Sequence, residues 1–293
     1  MIYFSLPMFA TNLTFNNAIS NFLKFHPQAC NFSNGDIATN YGNFPYSYWD
    51  GNVNNNYGND IALYGDIILI RGACKKPIRL TCSNIYLDEK DLYDVHQNVV
   101  FDLLKDCGNF IEISDLQLYS YIKEKYPGYN FIFSENADLI HPFTEEILNT
   151  ILEQNIFSFI TLPKRLSEND DFLFNLKHKN KYEIIICDKC CCNNIEFKQE
   201  CSAKEQQYQI NFSNKTMYQN CDKINKYKNA QKDIAKINEL HKMGFNYFKI
   251  DCCPIKDIVT FNNFLVDLLI KPEYQKKFYQ EVKIRRVQDL VFV

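Results

Sequence analysis

The sequence predicts a (β/α)8, TIM-like barrel formed by a single domain over residues 1–293. Two observations carry that expectation. Short, almost continuously apolar runs of β type alternate with amphipathic stretches, at a spacing of 20–30 residues, through most of the chain. Such runs suit parallel strands covered on both faces, and repeated βα units of that size close most naturally into a barrel. A doubly wound open sheet is the alternative, but no GxGxxG follows the first run and no P-loop is present.

The elements follow in order. IYFSL at 2–6 is the first strand, and Phe15, Ala18, Ile19, Phe22 and Leu23 make the stripe of the helix behind it. IRLTC at 78–82 is a strand, followed by a helix marked by Leu92, Val95, Val99, Leu103 and Leu104, with Gly108 as its stop. FIEIS at 110–114 leads to Asp115, an N-cap for a helix over 116–125 that Pro127 closes. FIFS at 131–134, FSFITL at 157–162, YEIIIC at 182–187 and YFKID at 247–251 are further strands, with IILI at 67–70 and YQINF at 208–212 as weaker ones. Thr144 and Ser167 are expected to start helices. Ile234, Ile237 and Leu240 form a stripe ended by Gly244, and two more helices are expected over about 256–270 and 272–283. Residues 26–65, rich in Asn, Gly and Tyr, read as a long loop inserted after the first βα unit. Its cluster of Phe44, Tyr46, Tyr48 and Trp49 suggests an aromatic lid, so Tyr48 and Trp49 are candidate substrate-binding residues.

Composition narrows the function. Lys+Arg 32 against Asp+Glu 35 leaves a net charge of −3, and the absence of a long basic run argues against bulk DNA binding. No apolar stretch is long enough to span a bilayer. The first twenty residues lack a basic n-region, so neither membrane insertion nor a secretory signal is expected, and a cytoplasmic location follows. Twelve cysteines are unusual for such a chain, and six of them fall between 187 and 221. Cys187 and Cys190 form a C-x2-C pair directly after a strand, with Cys201 ten residues beyond Cys191 and Cys221 further on. Thiolates in that pattern can reach one soft metal centre, either an iron–sulfur cluster or zinc.

A barrel places function at the C-terminal ends of its strands. Arg79 and Glu112 interrupt apolar strands, where an unpaired charge would be costly, so each is the other's natural partner or an anchor for substrate. Lys249 poses the same question, and Asp251, two residues on, shares its strand face. Arg79, Glu112 and Asp251 are therefore the acid–base and anchoring candidates, with Asn84 and Glu135 as substrate-binding ones. Arg79, Cys82, Glu112, Cys187 and Asp251 are expected to converge on one cavity. Of the five histidines, only His26 and His141 are placed to approach a site, and no HExxH or GxSxG motif is present.

Two blocks carry a family resemblance. HKMGFNYFKIDCCPIKDI at 241–258 is similar to the end of the peptidase U32 barrel, where helix, Gly and strand lead into a Lys-Ile-Glu-Gly-Arg signature. Lys249, Ile250 and Asp251 match its first three positions, while Cys252 and Cys253 stand in place of Gly-Arg. YEIIICDKCCCNNIEFKQEC at 182–201 resembles the family's strand and cysteine-bearing segment, in which four cysteines hold an iron–sulfur cluster in the hydroxylase-type members. The resemblance covers about 70 residues; the cysteine spacing differs and the family's N-terminal pattern is not recognisable. It implies a cluster-bearing barrel enzyme acting on a small-molecule, peptide or RNA substrate, by hydroxylation or peptidase chemistry. Cys187, Cys190, Cys201 and Cys221 would be the ligands of a [4Fe-4S] cluster, or of zinc, with Cys191 or Cys192 able to replace one. A catalytically degenerate barrel that binds a peptide or small molecule is the alternative.

Overall fold

Alternation along the first strand already sets the inside and outside of the molecule. In β1 (Ile2–Leu6), Ile2, Phe4 and Leu6 pack into the apolar core under the helices, whereas the hydroxyl of Ser5 reaches across to Glu183. The computed structural model describes residues 1–7, 9–42, 49, 71–73, 75–85, 87–105, 109–186, 230–250 and 258–289. Within them, β2 (Gly35–Gly42), β3 (Ile78–Cys82), β4 (Phe110–Ile113), β5 (Asn130–Phe133), β6 (Phe159–Leu162), β7 (Tyr182–Ile186) and β8 (Tyr247–Ile250) complete a closed barrel in sequence order. All pairings are parallel, and Tyr3 pairing with Tyr247 joins the last strand to the first. The predicted (β/α)8 fold is therefore the observed one.

Helices α1 (Phe9–Phe25), α2 (Val95–Leu104), α3 (Leu116–Lys125), α4 (Glu145–Glu153), α5 (Lys164–Ser167), α6 (Asp170–Asn175), α7 (Ala230–Lys242), α8 (Ile258–Leu269) and α9 (Pro272–Asp289) accompany the strands. Four of them, α2, α3, α4 and α6, start under side-chain caps that satisfy otherwise orphaned backbone N–H groups. Asp94 accepts from the Gln97 N–H, Asp115 from Leu118, Thr144 from Ile147 and Asn169 from Phe172. Ser167 thus ends a short helix instead of starting one, and Asn169 takes the capping role expected of it. Gly244 stops α7 at φ +109°, a conformation that L side chains rarely adopt.

The apolar core is a sleeve between barrel and helices. Phe4, Leu80, Ile111, Ile160, Ile184 and Phe248 from the strands meet Ile19, Phe101, Leu118, Leu148, Ile237 and Leu265 from the helices. Each such side chain contributes roughly 1.5–3 kcal/mol on burial. The interior differs: at its N-terminal end the Tyr3 and Tyr247 rings stack at a centroid distance of 5.1 Å, Phe159 meets Tyr247 at a tilt with centroids 4.1 Å apart, and polar groups fill it above them.

One expectation is corrected here. Residues 26–65 are not a loop throughout, because β2 lies inside them, preceded by a 3-10 turn at Pro27–Ala29. GDIATNYG lacks an apolar run for a physical reason. Thr39 and Tyr41 point into a polar interior, and Asn40 is buried on the opposite side. The weaker strand candidates at 67–70 and 208–212 lie outside the described residues.

Candidate active site at the barrel mouth

Arg79 is fully buried at the centre of β3, and the barrel supplies what such a charge requires. Its Nη1 donates to Glu183 Oε2 at 2.5 Å, and its Nη2 donates to Thr161 Oγ1 at 2.9 Å. The same Nη2 lies 2.9 Å from Glu112 Oε2, an ion-pair contact without the alignment of a hydrogen bond. Burial pulls the guanidinium's pKa down, but Glu112 and Glu183 more than offset it and hold it above its ordinary value. Glu183 is further held by Ser5 Oγ at 2.7 Å and Thr161 Oγ1 at 3.0 Å, and Ser5 in turn accepts from Thr39 Oγ1 at 3.0 Å.

Glu112 carries the network onward. Its Oε1 accepts from Lys249 Nζ at 2.7 Å, and the ammonium then approaches the two oxygens of Glu135 at 3.3 and 3.4 Å. Ser134 Oγ lies within hydrogen-bonding distance of Glu112 and Glu135. The Tyr41 ring flanks both cations, 5.0 Å from Lys249 Nζ and 5.9 Å from the Arg79 guanidinium carbon, while its hydroxyl donates to the Ile250 carbonyl. Charges thus alternate along Glu183, Arg79, Glu112, Lys249 and Glu135. With their hydroxyl partners they engage β1, β2, β3, β4, β6, β7, β8 and the residues directly after β5. The chain of charges opens toward the mouth, where the Glu135 side chain is 11% exposed against 4% for Lys249. Desolvation raises the pKa of Glu112 despite the opposing pull of Arg79 and Lys249, with Glu135 adding to the rise.

The rim beside Glu135 is tied together. Asp138, in the 3-10 helix Glu135–Leu139, accepts from Arg165 Nε at 2.8 Å, from Arg165 Nη2, and from the Phe143 N–H at 2.6 Å. Ser114 Oγ and Asn136 Nδ2 both donate to the Ser83 carbonyl. The connections after β3, β4, β5 and β6 therefore hold one another.

The predicted partnership of Arg79 with Glu112 is present, and Glu135 joins them through Lys249. Asn84 is buried beside the rim, where its N–H donates to the Trp49 carbonyl. Trp49 is not an open cap. Its ring is fully buried against Phe101 and Tyr121, and its Nε1 donates to the Asp91 carbonyl at 2.7 Å, as suits a large apolar ring with one polar atom. Cys82 does not converge with Arg79 either. The two-residue period of β3 turns it, with Leu80, into the apolar sleeve. His26 follows α1 to the end of the barrel opposite the mouth and sits 3.3 Å from Glu281. His141 is exposed after the Glu135–Leu139 turn. Asp251, Tyr48, Cys187, Cys190, Cys201 and Cys221 lie outside the described residues, as do Cys191 and Cys192. Among the described residues, no group of three or more His, Cys, Asp or Glu side chains is arranged to hold a metal ion.

Glu183, Ser5, Thr39, Tyr41 and Thr161 were not singled out by sequence reasoning. Glu183 gave a usable signal, since it interrupts YEIII as Glu112 interrupts FIEI. The hydroxyl residues gave none, because Ser and Thr are unremarkable in any strand. No helix among the described residues is long and apolar enough to cross a membrane. Compared with known proteins, the chain matches no family model, and no curated protein resembles it closely enough to count as a relative.

Proposed function

We propose that this chain is a U32-like barrel enzyme working at the C-terminal mouth. The observation that carries this reading is the buried chain of charges from Glu183 through Arg79, Glu112 and Lys249 to Glu135, which surfaces there and nowhere else among the described residues. Five ionised groups inside a barrel are expensive to desolvate, and their ending in a partly exposed carboxylate at the functional end of the fold favours a working site. The described part of β7 ends at Ile186, one residue before the first cysteine of the 187–221 segment. In this reading Cys187, Cys190, Cys201 and Cys221 hold an iron–sulfur cluster or zinc, and the substrate is a small molecule, a peptide or RNA.

Anaerobic purification tests it. A brown protein with visible charge-transfer absorbance is expected, losing colour in Cys187→Ser and Cys190→Ser but not in Cys107→Ser. Stoichiometric zinc without colour would leave a zinc-bearing barrel. Metal-free protein would overturn the reading in favour of a degenerate binding barrel, and one feature suits that alternative: the ion chain is paired from end to end, as a brace would be. Peptidase chemistry through a cysteine gains nothing from Cys30, whose thiol pKa is pushed up by burial, the opposite of what a nucleophile needs.

A further inference from the structure

Lys249 stands apart from the other buried charges in the kind of chemistry its surroundings could support. It is a primary amine at the C-terminal end of a barrel strand. One carboxylate, Glu112, is 2.7 Å away, and a second, Glu135, is 3.3 Å away on the mouth side. An aromatic face lies 5.0 Å from the nitrogen. A brace between Glu112 and Glu135 would need only a cation. Two separate carboxyl groups, one deep and one at the mouth, are what an amine needs to condense with a carbonyl compound, since that reaction moves two protons off nitrogen and delivers two to oxygen.

We propose that Lys249 forms an imine with a small aldehyde or α-keto acid entering at the mouth. The inference rests on placing the working site at the mouth, not on the cysteine segment. Nζ gives one proton to Glu135 and bonds to the carbonyl carbon. The carbonyl oxygen takes up that proton and a second one from nitrogen by way of Glu112, the C–O bond breaks, and water leaves. Nitrogen keeps one proton and the positive charge, so no electrons change hands and no co-reactant is needed. The product preserves the site's electrostatics: the iminium N–H still faces Glu112, the Tyr41 ring still faces a cation, and Arg79 keeps Glu183. Glu135 is then released from the nitrogen and stands beside the new C–N bond as a base. The raised pKa of Glu112 suits it to carrying the proton that departs with oxygen.

Reductive trapping of the full chain reads this directly. Glycolaldehyde and pyruvate are used as separate probes with cyanoborohydride, and modified lysines are mapped by peptide mass spectrometry. Lys249 is expected to be labelled ahead of the exposed Lys90, whose side chain is 78% accessible. Glu135→Gln should slow labelling at Lys249 and leave Lys90 unchanged. Lys249→Arg, which keeps the cation, should fold with an unaltered circular dichroism spectrum and lose the fast label. Labelling of Lys90 with Lys249 untouched in folded wild-type protein overturns the proposal and makes Lys249 a brace; an unchanged rate in Glu135→Gln removes Glu135 from the reaction. A colourless, metal-free protein that still traps at Lys249 would sink the cluster reading and keep this one. A brown protein with unlabelled Lys249 would do the reverse.

Discussion

Glu112 sits between two cations, yet burial raises its pKa, so the folded protein binds a proton there more readily than the unfolded chain does. The linkage has a definite sign. Stability from this group is fully present below the unfolded carboxyl value of about 4.3 and is lost as pH rises through the higher folded value. Urea midpoints of the wild type should therefore fall as pH rises from about 4.3 through that folded value and level off above it, and Glu112→Gln should flatten the fall. A wild-type slope equal to that of Glu112→Gln would mean that Arg79 and Lys249 fully compensate the desolvation. Charged residues inside apolar runs were the most legible part of the candidate site. Arg79 in IRLTC and Glu112 in FIEI declared themselves because no surface strand needs such a pattern. Their connection through Lys249 to Glu135 was not legible, since it depends on β8 and β5 facing each other across the barrel.

At the scale of elements, what was legible followed from which face of a strand is apolar. IRLTC and YEIII were readable because the outward residues Leu80 and Ile184 lie among further apolar neighbours. GDIATNYG was not, since its inward side serves Ser5, Lys249 and Arg79 and is polar of necessity. Within residues 26–65, Trp49 shows how an aromatic residue in an Asn-rich stretch misleads. Trp49 looks like a lid in sequence and is a peg in structure, driven between α2 and α3. Trp49→Ala is expected to cost about 3–5 kcal/mol, the range for emptying a large aromatic site. Chemical denaturation followed by circular dichroism measures it. The wild-type indole, the only one in the chain, should emit as a buried fluorophore that shifts to the red on unfolding. A loss below about 1 kcal/mol would restore the picture of a dispensable lid.

Across the whole molecule the interior network acts as a set of cross-ties. Arg79 alone links β3 to Glu112 on β4, Thr161 on β6 and Glu183 on β7. Arg79→Leu should cost about 3–5 kcal/mol, because it leaves the buried Glu183 without a cation and Glu112 with Lys249 alone, and adding Glu183→Leu should recover part of that loss. Strictly additive losses in the double variant would show that the two groups do not share a free-energy term. The order of the cross-ties along the chain also bears on how the protein is made. Synthesis proceeds at roughly 5–20 residues per second, so Arg79 and Glu112 leave the ribosome seconds before Glu183, and Lys249 follows later still. Until then β1 lacks β8, its neighbour on one side, and the nascent barrel carries an open edge with polar groups awaiting partners. A chain arrested before Tyr247 would present that edge to other chains, which makes the closing strand the step at which holdase chaperones and aggregation compete for this protein.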